Sequence, residues 1–255
     1  DLARMKTGLP LYAGGCVGND PNGDRVIREV KDAGMDTKFF YRVDAPTSYT
    51  DVMIPVNGST RTFFHNRGAN SKLDIEHFTD IDVPARIFHV GYLLLLDGLD
   101  APDREYGVRA ARVLDLLRKK GYRTSVDVVS EQSDRFPRIV LPCLPYTDYL
   151  IVNEIEAGAC FGEYLRTESG VDEEKVRATA ARLMEHGVKE AVVIHFPEGG
   201  YAVNSRGESH FQLSMMLSPE EVVSTVGAGD AFCAGMLYAL HEDMSLSDAL
   251  IFANT

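Results

Sequence analysis

From residue 85 onward the apolar positions follow two rhythms in turn. Short, nearly continuous apolar runs predict strands over 86–94, 123–129, 149–152 and 191–195, because a strand covered on both faces loses the polar alternation of an exposed one. Between them, Val108, Ala111, Val113, Leu114, Leu116 and Leu117 predict a helix over 105–120, and further helices are expected over 153–160 and 171–186. Strand and helix in alternation imply a mostly parallel central sheet with helices on both faces, a three-layer α/β fold. Ligands of such sheets bind beyond the carboxyl ends of the strands. Asp127, Asn153 and His195 fall near such ends.

The earlier residues read differently. An apolar, glycine-punctuated strand over 9–18 leads to Asn19 or Asp20 as helix cap, a helix follows over 22–33 with Val26, Ile27 and Val30 on one face, and Gly34 suits its left-handed end. Three short segments of strand character come next, over 39–43, 49–56 and 60–65, the last two flanking the hairpin dipeptide Asn57-Gly58. Their mixture of polar and apolar residues predicts a small sheet apart from the main one, either a surface hairpin or a lid, closed by a turn at 67–70. Residues 2–5 and 246–253 read as helices, and a chain starting without Met inside such a pattern is expected to lack flanking segments.

Composition narrows the possibilities. A chain of 255 residues, 45% hydrophobic and 25% charged, suits one large domain over 1–255 with the lid as a subdomain at about 39–66. Lys and Arg number 26 against 38 Asp and Glu, a net charge of −12 without a basic cluster, which excludes a nucleic-acid backbone as partner. The longest apolar run, 87–96, is too short to span a bilayer, so no membrane partner is expected. Cys16, Cys143, Cys160 and Cys233 are scattered, with no pairing or histidine spacing of a zinc site. Reduced thiols and a cytoplasmic location follow as expectations. Asp97, Asp100 and Asp103 read as a solvated acidic connection.

The chemistry concentrates in Ser224 to Phe232. Gly227, Ala228 and Gly229 precede Asp230 and an apolar helical run. A helix start offers unpaired amides and the positive end of the peptide dipoles, and glycines let an anion approach them closely. Asp230 beside such an anion site is either a helix cap or a general base that takes a proton from an alcohol while phosphate charge is held on the amides. Asn153 with Glu156 is a capping-box pattern, and also a pair able to hold the waters of Mg²⁺ near nucleotide phosphates. The turn from His195 to Gly200 either simply reverses the chain or borders a nucleotide.

In the order of these motifs the chain resembles the ribokinase-like (PfkB) carbohydrate kinases along nearly its whole length. Val226 to Phe232 is similar to the family's carboxy-terminal signature, residues 18–23 to its early glycine-aspartate turn, Arg67 to Asn70 to the turn after its lid, and Asn153 to Glu156 to its Asn-x-x-Glu motif. The resemblance implies transfer of the γ-phosphoryl group of ATP, with Mg²⁺, to a hydroxyl of a sugar or a nucleoside. It implies Asp230 as base and Gly227, Ala228 and Gly229 as anion hole. Asn153, His195, Gly200, Gly227, Gly229 and Asn254 would lie on the nucleotide side, and Asn153 with Glu156 would organise the metal. Thr50 and Val52 of the lid, Tyr92 and Asp230 would face the substrate, and lids of this family suggest a homodimer through the hairpin.

Three positions depart from the family pattern. Its glycine-rich amino-terminal sugar motif and first strand are not in this sequence, His195 and Pro197 stand where Thr and Gly are usual, and Ser224 replaces an aspartate associated with a monovalent cation. Potassium activation is therefore not expected. A catalytically silent binding protein and an NAD-dependent oxidoreductase are the competing classes. The second lacks a Gly-x-Gly-x-x-Gly after an early strand.

Overall fold

The computed structural model describes residues 2–53, 62–215 and 226–255. Residues 2–6 form turns in place of the expected helix; four or five residues cannot repay helix nucleation without a packed face. The amino-terminal unit is β1 (Tyr12–Gly18), α1 (Pro21–Asp32) and β2 (Asp36–Val43), with β1 and β2 parallel. Asp20 is the cap of α1, accepting from the Gly23 amide, and it also accepts from the amide and hydroxyl of Thr47. That carboxylate ties the start of α1 to the chain entering the next element. The hydrogen bond from the Thr47 hydroxyl is the main reason its pKa is lowered.

β3 (Tyr49–Met53) and β4 (Thr62–Asn66) form an antiparallel hairpin exposed along its length. The strand predicted over 39–43 therefore lies in β2 beside β1, not in the hairpin. Asn57 and Gly58 lie outside the described residues. At the base of the hairpin, the Ser48 hydroxyl donates to the Arg67 carbonyl and accepts from the Asn70 amide.

The main sheet uses β5 (Ile87–Leu93), reached through the short α2 (Glu76–Thr79). Beyond it come α3 (Asp97–Asp100), the two-residue strands β6 (Pro102–Asp103) and β7 (Gly107–Val108), α4 (Arg109–Lys119), β8 (Arg123–Val128) and α5 (Phe136–Ile139). There follow β9 (Tyr149–Asn153), α6 (Glu154–Ala159), the small ladder of β10 (Arg166–Thr167) with β11 (Gly170–Val171), α7 (Glu173–Glu185), β12 (Ala191–Phe196), β13 (Gly199–Asn204) and β14 (Ser209–Leu213). The chain ends in α8 (Ala228–His241) and α9 (Leu246–Ala253).

The sheet order is β14-β13-β12-β9-β8-β5. The four strands from β12 to β5 are parallel, β13 pairs antiparallel with β12, and β14 pairs antiparallel with β13. Alternate residues of β9 and β12 face two different cores. Leu150, Val152, Val192 and Ile194 pack with Leu114, Leu117, Val176 and Leu183, whereas Ile151 and Val193 pack with Phe232, Met236 and Leu250. This double coverage explains the apolar runs, and each buried Leu, Ile or Phe stabilises the fold by roughly 1.5–3 kcal/mol. Along the edge strand β5 runs a cavity of about 390 Å³, walled by Tyr12 and Phe39 on one side and Phe88, His89 and Leu237 on the other.

The acidic connection is not solvated as a whole. Asp103 binds Arg112 at 2.7 Å and the amides of Glu105 and Tyr106, and the guanidinium first and then the amides hold its pKa well below the usual range. That turn delays the helix expected from 105 until Arg109. Asp97 pairs with Arg67. Asp100 accepts from the Leu94 amide at 3.1 Å, its other oxygen is buried without a hydrogen bond, and the nearest guanidinium, on Arg135, is 3.9 Å away.

Burial pushes the Asp100 carboxyl up from 3.8 to about 6. Folded protein thus holds a proton there that unfolded protein releases near 3.8, so stability is fully present below that value and is lost as pH rises toward 6. Asp100→Asn keeps an acceptor for Leu94 and carries no charge to bury. Denaturant unfolding at pH 7 is expected to show the variant more stable by roughly 1–2 kcal/mol, with the difference vanishing toward pH 4.

Candidate functional site

The site forms where the carboxyl ends of β5, β8, β9 and β12 meet the amino terminus of α8. Gly227 caps that helix in the left-handed conformation, φ 84°, and no side chain caps it. Among the described residues the amides of Gly227, Ala228 and Gly229 donate to no backbone carbonyl. They are left at the positive end of a 14-residue helix, the arrangement that binds an anion. Gly229 faces the ring of His195; a Cβ there would lie 3.3 Å from its Cε1. Asp230 is exposed in the first turn and accepts a hydrogen bond from the Tyr92 hydroxyl at the end of β5.

His195 stacks on Phe232 with ring centroids 4.9 Å apart. Burial lowers its pKa to about 4 against the opposing charge of Asp230, so the ring is neutral at pH 7. It is a flat apolar wall under the glycine turn rather than a cation for phosphate. Tyr92 is likewise held protonated, by burial first and then by its bond to Asp230.

At the end of β9, Asn153 and Glu156 complete both halves of the capping box. The Asn153 side chain accepts from the Glu156 amide, and one Glu156 oxygen accepts from the Asn153 amide, each at 2.9 Å. The other Glu156 oxygen accepts from Ser130 at 2.7 Å, and Ser130 accepts in turn from the Asn153 side-chain amide. Glu156 is 4% exposed, and burial raises its pKa to about 7 although three of its hydrogen bonds oppose the rise. Asp127, at the end of β8, rises to about 8 through burial and then the Glu156 charge. The floor is thus short of negative charge, while Asp230 stands above it in solvent.

Other expected site residues lie elsewhere. Gly200 is buried against Phe232 and Leu250, where a Cβ would come within 3.2 Å of both; it lets α8 and α9 approach β13. Asn254 closes α9, its amide donating to the Leu250 carbonyl and its oxygen accepting from Ser214. Thr50 bonds His65 across the hairpin at 2.8 Å and Val52 is 37% exposed; no described interaction joins either to Asp230. Ser224 lies outside the described residues. Ser130 and His89 were not singled out in the sequence, and Asp127 only as a residue near a strand's carboxyl end. A carboxylate inside the apolar strand Ser125-Val126-Asp127-Val128 was the available signal.

A glycine-lined helix start at the strand ends of an α/β sheet is an arrangement suited to anions. The pfkB family carbohydrate kinase model matches residues 2–255. Ribokinase of Schizosaccharomyces pombe is 24% identical over 94% of this chain and 70% of its own length, and adenosine kinase of Schizophyllum commune is 25% identical over 92% and 69%. The structure of Arabidopsis thaliana ribokinase complexed with ribose and ATP superposes with a TM-score of 0.77 at 22% identity, covering 99% of this chain and 76% of that one. The chain belongs to the pfkB family of carbohydrate kinases, and is a kinase that phosphorylates a hydroxyl group. Among the described residues no helix is long and apolar enough to cross a membrane.

Gly227 gives the cradle a direct check. A Cβ there meets nothing within 4 Å, so a substitution is opposed by backbone conformation alone. Gly227→Ala is expected to lower unfolding stability by about 1–2 kcal/mol, and Gly227→Asn by less, since Asn tolerates the left-handed region. Equal losses for the two would show that the helix start relaxes out of that conformation.

Proposed function

We propose that the chain transfers the γ-phosphoryl group of ATP to a hydroxyl of a sugar or nucleoside, with Asp230 as general base. The observation that carries this reading is the Tyr92 hydroxyl donating to an exposed Asp230 at the rim of the amide cradle. It marks where an acceptor hydroxyl would place its proton. As the acceptor oxygen bonds to phosphorus and the bond to the ADP oxygen breaks, the acceptor proton passes to Asp230. Charge on the phosphoryl oxygens is met by the amides of Gly227, Ala228 and Gly229. The acceptor class is supported by the relatives, named ribokinase and adenosine kinase, whose substrates by name share a ribose ring.

ATP carries phosphates that Mg²⁺ neutralises, and the residues at the end of β9 fit such an ion through its waters. Glu156 has both oxygens engaged in the capping box and is 4% exposed, so it fits no direct bond to the metal. The half-buried Asn153 and the exposed Ser130 offer polar atoms at the rim that a hydrated Mg²⁺ can use, in keeping with the ion's reluctance to shed water. The hairpin of β3 and β4 suits a lid. Tyr49, Met53, Phe63 and Phe64 are 45–60% exposed, apolar surface that closing over a ligand would cover.

The silent binding protein is weighed against this reading by one experiment. ATP consumption is measured with ribose, other sugars and adenosine as acceptors, for the wild type and Asp230→Asn. The substitution is expected to lower turnover by about 10²–10⁴-fold, the usual worth of a positioned base, and to leave ATP affinity within a few-fold. A variant that keeps its turnover removes Asp230 from the base role, and a wild type that binds ATP without consuming it returns the silent binding protein.

A further inference from the structure

Three donors that phosphoryl transfer does not use converge below Asp230. His89 comes from β5, Asp127 from β8 and Cys233 from α8, and one ligand atom of each lies within 4.8 Å of the other two. Nothing in their sequence spacing announces this; the sheet and the helix bring them together. Nitrogen, oxygen and sulfur form the mixed donor set that suits zinc, and ligand atoms around four-coordinate zinc stand about 3.3–3.8 Å apart for bonds of ~2.0–2.3 Å. Side-chain shifts of about 1 Å close the cluster to that geometry.

The outer partners are also in place. His89 Nδ1 bonds the Ser125 hydroxyl at 3.1 Å, which fixes the ring and leaves Nε2 for the cluster. Gly91 gives that ring its room, since a Cβ there would lie 3.1 Å from Nε2. The Val128 amide donates to one Asp127 oxygen at 2.7 Å. A ligand whose second polar atom is held by a neighbour is the usual build of a metal site.

We propose that His89 Nε2, a carboxylate oxygen of Asp127 and the Cys233 sulfur bind Zn²⁺, the thiol and the carboxyl giving their protons to solvent and the fourth position staying open to water. Cys233 follows Asp230 by one helical turn, so the bound cation lies beside the proposed base and inhibits turnover. That consequence rests on the kinase mechanism above; the binding does not.

The test therefore reads binding without turnover. Co²⁺ is titrated into the full chain without nucleotide, and the near-ultraviolet band of thiolate-to-cobalt charge transfer is followed, with Zn²⁺ as competitor. The expected result is saturation at one equivalent, displacement by Zn²⁺, and loss of the band in Cys233→Ser. Ser125→Ala, which removes only the partner of His89, is expected to weaken cobalt binding about 10-fold or more. Far-UV circular dichroism and metal-free melting confirm that each variant folds; if Cys233→Ser does not, His89→Gln and Ser125→Ala carry the test. A missing band overturns the proposal, as does one that survives Cys233→Ser, which would point to Cys16, whose sulfur lies 3.7 Å from His77 Nε2. A cobalt site in a protein that shows no ATP consumption leaves this proposal standing and removes only the inhibition.

Discussion

The close seating of α8 on the sheet is the constraint from which the rest of the site follows. At Gly200 a Cβ would meet Phe232 and Leu250 at 3.2 Å, and at Gly235 one would come 2.9 Å from the backbone of Ala253. Glycine at both places lets α8 lie against β13 and α9 nearer than any larger residue permits. Phe232, Met236 and Leu250 then fill the layer over Ile151 and Val193. That packing fixes the height at which the helix begins, and so sets the open amides of Gly227 to Gly229 level with the ends of β9 and β12. A helix standing even one ångström higher would carry its dipole away from the strand ends, where His195 and Asn153 wait.

Beneath that helix start, burial rather than charge pairing sets the electrostatics. His195 is driven down to about 4, and Asp127 and Glu156 are driven up to about 8 and 7. These three groups therefore carry less charge at neutral pH than exposed ones would. The consequence is selective: an anion arriving at the amides meets no ring of carboxylates below it, while Asp230 remains exposed above the floor. In a chain of net charge −12, the phosphate site proposed above would need this local neutrality, because the overall field repels an anion.

Much of this was legible in the sequence where the signal is local. The glycine turn into α8, the cap at Asp20 and the capping box at Asn153 each rest on contacts within a few residues, and the buried strands announce themselves by losing alternation. Pairings between distant segments leave no such trace. The partner of β2 is β1, across a helix, and β14 joins the sheet with a polar, half-exposed sequence, Ser209-His210-Phe211-Gln212-Leu213, that resembles any loop. Asp100 and Asp103 look alike in sequence, yet one meets an arginine and the other an amide in the interior. The packing of Gly200 against Phe232 and Leu250, and the bond from the Asn254 side chain to the Leu250 carbonyl, are likewise decided by neighbours that only the fold supplies.

Asn153 and Glu156 show why a structural and a chemical role need not compete. With both oxygens bound, Glu156 would have to give up its bonds to Ser130 or the Asn153 amide to ligate a metal directly, opening the capping box. An ion that keeps its waters requires no such exchange. The buried carboxyl then works through what it holds: it fixes Ser130 and the amide of Asn153, and these fix the rim atoms that a hydrated cation would touch. The same economy explains the strand-end placement, for a cap that ends β9 and starts α6 already points polar atoms toward the place where phosphate would lie. Rigidity of the cap is thereby converted into position at the site, and a residue pair chosen for helix stability becomes a fixed reference for a mobile ligand.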